Sequence, residues 1–89
     1  MTRVEATVVN EVGLHLRSAG TFVRLASKFK SQIYVSAPGV AAVDGKSILG
    51  LVTLGAVRGS VLTITAEGPD EAEATGALGQ LVAERFHEA

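Results

Sequence analysis

No cysteine occurs among the 89 residues, which excludes disulfides, thiolate metal centres and thiol nucleophiles and agrees with a reducing compartment. Tryptophan is absent and aromatics make up only 4% of the chain, so any core must be built from Val, Leu, Ile and Ala. No apolar run approaches the roughly 20 residues that cross a bilayer. Residues 1–5 carry both charge signs and lead straight into an alternating segment, unlike a secretory leader. The expected location is therefore the cytoplasm, with no membrane insertion. A large excess of charge is also missing, since the net charge is −1. Aromatic residues do not interleave with cations as a base-stacking surface requires, and no ribonucleoprotein-type motif appears, so no nucleic-acid partner is expected. Linkers, low-complexity tracts and internal repeats are lacking, and residues 1–89 read as one domain.

What is present is a hydrophobic fraction of 47%, enough for a real core, arranged in changing periods. Residues 3–9 alternate, with Val4, Ala6 and Val8 on one side, as in a half-buried strand. Over 18–28 the period becomes helical: Ala19, Phe22, Val23 and Ala26 form a stripe, Arg24 and Lys28 point away, and Ser18 is the expected cap. Residues 32–37 and 40–43 alternate on either side of Pro38-Gly39, predicting a hairpin. Ser47 is placed to cap a short apolar helix that Gly55 closes. A strand over 60–67 is followed by Gly68-Pro69 and by a helix capped at Asp70, with Glu71 and Glu73 at its positive end and Ala74, Leu78, Leu81 and Val82 as its buried stripe. Tyr34, Phe22, Phe29 and Phe86 read as core or partly buried residues, and His87 as part of a frayed, solvated tail. The order βαββαβα predicts an α+β fold, an antiparallel sheet with helices gathered on one side.

Charge divides unevenly along this order. Residues 1–50 hold six cations against three acids, and residues 51–89 two cations against six acids. The basic half contains His15, just ahead of the first predicted helix and two residues before Arg17. A metal centre needs further ligands at suitable spacing, and only the distant His87 is another histidine. No hydrolase-type nucleophile and orienting acid are evident. The imidazole itself remains as a nucleophile able to carry a covalently bound group. Unpaired N–H groups and the helix dipole favour an anion at this point, and the guanidinium of Arg17 matches phosphate oxygens. Gly13 permits the tight loop that exposes the ring. A surface histidine beside an arginine is the plainer alternative on these residues alone.

The stretch "GLHLRSA", residues 13–19, resembles the phosphorylation motif of the HPr family, the histidine-containing phosphocarriers of the bacterial phosphotransferase system. "GKSILGLVTLG", residues 45–55, is similar to that family's second signature. Length, element order and motif separation agree over the whole chain. The resemblance implies an open-faced β-sandwich: a four-stranded antiparallel sheet with three helices on one face. It implies that His15 is phosphorylated at Nδ1 by enzyme I and passes the group to an EIIA domain. Arg17 then steadies the phosphate, along with the backbone N–H groups of Leu16, Arg17 and Ser18. It further implies a carrier rather than an enzyme, monomeric, with no cofactor and no metal.

Ser47 is similar in position to the serine modified by HPr kinase/phosphorylase, while a plain N-cap is its simpler reading. Ile48, Leu49, Leu51 and Val52 look like a docking patch as well as core. Lys46 is a candidate for contact with acidic partners, as are Arg24 and Lys28, although a solvated helix face explains the last two equally well. Two residues depart from the usual family motif. Leu16 stands where a small residue is usual, and Ser18 where proline is usual. Those departures leave open a regulatory, nitrogen-type paralogue that acts mainly through protein–protein binding.

Overall fold

Side chains of alternating burial open the chain, and the backbone pairs accordingly. In a computed structural model that describes residues 1–88, Thr2–Thr7 forms β1, shorter than the 3–9 expected. Val8 nevertheless stays fully buried, and it holds the ladder's direction through backbone bonds with Ser60 and Gly59. Helix α1 spans Leu16–Ala26, followed by β2 (Gln32–Ala37), β3 (Val40–Asp44), α2 (Ile48–Thr53), β4 (Val61–Glu67) and α3 (Glu71–Ala83). The four strands run in the order β1-β4-β2-β3, all antiparallel. Ile33 and Val35 of β2 and Leu62, Ile64 and Ala66 of β4 form the covered face of the sheet. Phe22, Leu51, Leu78, Leu81 and Val82 come down on it from the helices. Each such side chain, fully buried, contributes roughly 1.5–3 kcal/mol. The other face stays open, as the predicted one-sided layering requires.

Three local expectations change. Tyr34 is not core: it alternates out of β2 onto the open face, 39% exposed, and donates its hydroxyl proton to Gln32. Lys28 lies past the end of α1, because the backbone N–H groups of Ser27 and Lys28 close the last turn. Asp70 makes no side-chain cap on α3. Its carboxylate instead accepts from the N–H groups of Lys30 (2.8 Å) and Ser31 (3.0 Å), stapling the loop between α1 and β2. Glu71 takes over the helix start, accepting from Gly68 N–H and binding both the Met1 ammonium (2.8 Å) and the Thr2 hydroxyl (2.6 Å).

The tail is also unlike the frayed end expected of it. Residues Arg85–His87 form a single 3-10 turn, with Arg85, Phe86 and His87 all at φ between 55° and 61°. Left-handed backbone costs a non-glycine residue roughly 1–2 kcal/mol. Phe86 offsets this by entering the core, where it is 1% exposed.

Candidate functional site

The loop after β1 is shaped by Gly13, whose φ of +74° suits glycine. A Cβ there would lie 2.5 Å from the Ala56 carbonyl oxygen, so the absent side chain also lets two backbones touch. The next residue, Leu14, donates its N–H to that same carbonyl at 2.9 Å and buries its side chain. With Leu14 pinned inward, the chain delivers His15 to the surface in an extended conformation (φ −126°, ψ −172°) as the N-cap of α1.

Ser18 is therefore not the cap. It occupies the third helical position and is completely buried. Its hydroxyl oxygen accepts from the His15 N–H (2.9 Å) and its proton reaches the Gly13 carbonyl (3.1 Å). This is one half of a capping box, with serine supplying the contact a Glu or Gln commonly makes. The physical reason for the shift is the histidine ring itself, which serves as the cap acceptor: Nδ1 accepts from the Arg17 N–H at 3.3 Å. A nitrogen that accepts an N–H presents its lone pair, so the Nδ1 lone pair is directed at the first turn of α1. Leu16, Arg17 and Ser18 supply that turn's N–H groups, which lack partners one turn earlier.

Around the ring the surface is mixed. His15 has 36% of its side chain accessible. Among the described residues no carboxylate pairs with the Arg17 guanidinium. Arg17 shares a shallow hollow with Thr21, Arg24, Phe86, His87 and Glu88. Arg24 and Lys28 line an adjoining one. Arg24 reaches Thr21 within its own helix at 3.2 Å. Exposed apolar residues include Leu16 at 68%, at the start of α1, and Leu49 at 76%, with Ile48 at 37%.

The expected docking residues separate into two kinds. Ile48 and Leu49 are outward, and Val52 is half-buried against the core. Leu51 is fully buried and cannot meet a partner; it faces the sheet because α2 must anchor by at least one side chain. Lys46 is not a free cation either, since its ammonium donates to the Phe29 carbonyl at 2.8 Å. Ser47 does cap α2, accepting from Gly50 N–H at 3.1 Å.

Sequence reasoning missed Asn10, Val12, Val57 and Glu88. Val12 and Val57 are both about two-thirds exposed, and a Cβ on Gly13 would lie 2.9 Å from the Val57 Cα. Asn10 is buried, donating to the Gly13 carbonyl (2.7 Å) and to Glu88 Oε1 (2.8 Å). The other carboxylate oxygen of Glu88 lies 3.1 Å from His15 Nε2. No local spacing signals a contact spanning 73 residues.

Comparison with known proteins gives a consistent picture. A family model described as "PTS HPr component phosphorylation site" matches residues 2–84. The phosphocarrier protein HPr of Cupriavidus necator is 43% identical over 88 residues, covering 99% of this chain and 98% of that protein. HPr of Pseudomonas aeruginosa is 40% identical with the same coverage. Among solved structures, HPr-C-His from Thermoanaerobacter tengcongensis superposes with a TM-score of 0.92 at 44% identity, covering 100% of this chain and 99% of the other.

Proposed function

Because the chain belongs to the HPr family of phosphocarrier proteins, a family of carriers rather than catalysts, we propose that it accepts a phosphoryl group on His15 Nδ1 from phosphorylated enzyme I and passes it to an EIIA domain of the phosphotransferase system. The observation that carries this reading is the cap: Nδ1 points its lone pair at the first turn of α1, beside an unpaired guanidinium. A phosphoryl group formed there meets the N–H groups of Leu16, Arg17 and Ser18, the positive end of the helix and the Arg17 fork. These donors are open to solvent rather than closed into a cage, which suits a group that must leave again. The exposed Leu16, Ile48 and Leu49, with Val52 behind them, form the apolar part of a docking surface, and Arg17, Arg24 and Lys28 the basic part. The protein acts in the cytoplasm as a monomer. No helix among the described residues is long and apolar enough to cross a membrane.

Incubation with enzyme I, labelled phosphoenolpyruvate and Mg²⁺ tests the reading. One acid-labile, base-stable phosphate is expected, absent from His15→Ala; a folded wild-type protein that takes up no label would refute it. Ser47 is proposed as a second, regulatory site for an HPr kinase/phosphorylase. A phosphate there adds roughly two negative charges next to the docking surface, at a helix start that tolerates them. With ATP and that kinase, an acid-stable phosphate missing from Ser47→Ala is expected.

A further inference from the structure

The two nitrogens of the His15 ring have different partners, and the second comes from the far end of the chain. Nδ1 accepts from the Arg17 N–H, which assigns the proton of the neutral ring to Nε2. Nε2 faces Glu88 Oε2 at 3.1 Å. The other oxygen of Glu88 accepts from Asn10 Nδ2 at 2.8 Å, and Asn10 also holds the Gly13 carbonyl. The carboxylate is thus fixed by the loop that presents the histidine. Its side chain is only 18% exposed, and buried Phe86 draws the tail into place two residues earlier. His87 takes no part, because its ring is paired with Glu84 at 2.9 Å.

We propose that Glu88 is a positioning residue for phosphoryl transfer: its carboxylate keeps the proton on His15 Nε2 and so keeps the lone pair on Nδ1. The proposal rests on His15 being the phosphoacceptor. As the lone pair of Nδ1 forms the N–P bond, the bond from phosphorus to its donor breaks and that electron pair leaves with the donor. Nε2 retains its proton, the ring gains one positive charge, and the Nε2–H···Oε2 contact becomes an ion pair. When the group moves on, the N–P bond breaks, its electrons return to Nδ1 and the ring is neutral again. No proton has to move in either direction, and a carboxylate facing Nε2 favours the charge each time it develops. This is the orienting role that carboxylates play behind histidines in metal centres and triads, filled here by the tail.

Ring ¹⁵N resonances of the full-length protein, recorded at neutral pH without any donor, read the tautomer directly. The wild type is expected to show Nε2 protonated and Nδ1 bare, and Glu88→Ala to show a mixture of tautomers. The rate of phosphoryl uptake from enzyme I should fall about fivefold in Glu88→Ala, the scale of one partly exposed charge-assisted hydrogen bond. Glu88→Gln keeps an acceptor oxygen and the side chain's shape. It is expected to hold the tautomer while losing part of the rate, and it serves as the folded control. A purely structural tail contact would leave the uptake rate of Glu88→Gln at the wild-type value, and that value overturns the proposal, as does an unchanged tautomer or an unchanged rate in Glu88→Ala. Failure of the carrier reading looks different: the wild type itself would then take up no phosphate, whatever its ring spectrum.

Discussion

At the scale of single residues, the position most exposed to failure is Gly13. It combines a positive φ with backbone contact to Ala56 and Val57. Gly13→Ala should lower stability by about 2 kcal/mol or more, from left-handed strain together with the clash, measured by urea denaturation. Because Leu14 and His15 follow directly, the same variant should also slow phosphoryl uptake. Wild-type stability in this variant would show that the loop relaxes freely. The placement of Gly13, His15 and Arg17 at the start of the first helix was legible in the sequence, because it depends on residue type and near spacing. Ser18 does help to cap the helix, but from its third position rather than ahead of it; nothing local reveals that a histidine ring three residues earlier fills the N-cap place. Glu88 and Asn10 were not legible at all, since tertiary packing alone brings residue 88 to the loop before α1.

Among the elements, α1 and the four strands follow from periodicity, and errors fall at their ends. β1 stops at Thr7 rather than at residue 9, and α1 begins two residues before the position expected. Asp70 shows why caps are harder than stripes. Its position suits an N-cap, yet the N–H groups of Lys30 and Ser31 compete for the same carboxylate and win. Helix α2 is the element that depends most on its cap. It has six residues, below the length at which a helix sustains itself, and it buries only Leu51. Ser47→Ala should therefore cost about 1 kcal/mol, while Ser47→Asp, which retains a capping oxygen and adds charge at the positive end, should stay close to wild type. Thermal unfolding of the pair distinguishes a cap from a surface hydroxyl; equal melting temperatures for Ser47→Ala and the wild type would remove the cap from the account.

For the whole molecule, the contact of Glu71 with Met1 and Thr2 ties the start of β1 to the start of α3 and sets a pH window. Hydrogen bonds from the terminal ammonium and the Thr2 hydroxyl lower the Glu71 carboxyl from 4.5 to about 2. The same contact raises the Met1 ammonium above its ordinary 8.0. A carboxyl held low in the folded state stabilises it above the unfolded value and loses that contribution as pH falls through the folded one. A raised ammonium stabilises the fold below its unfolded value and loses that contribution as pH rises through the raised one. The clasp is thus complete between about 4.5 and 8. Urea titrations of wild type and Glu71→Gln should diverge inside that window and converge toward pH 2; parallel curves throughout would show that the clasp contributes nothing. The layering of the molecule was legible as a whole, since one-sided burial on alternating strands leaves little choice but helices on one face. This clasp was not, because alternation does not say which carboxylate meets the amino terminus.

Tyr34 is the chain's only tyrosine, and there is no tryptophan. Its phenol stands on the open face of the sheet, away from the layer that carries His15. Tyrosine emission from the unlabelled protein consequently reports on the strands rather than on the histidine, and a partner that quenches it by contact has landed there. Following docking optically calls for a dye or an indole introduced on the helical side.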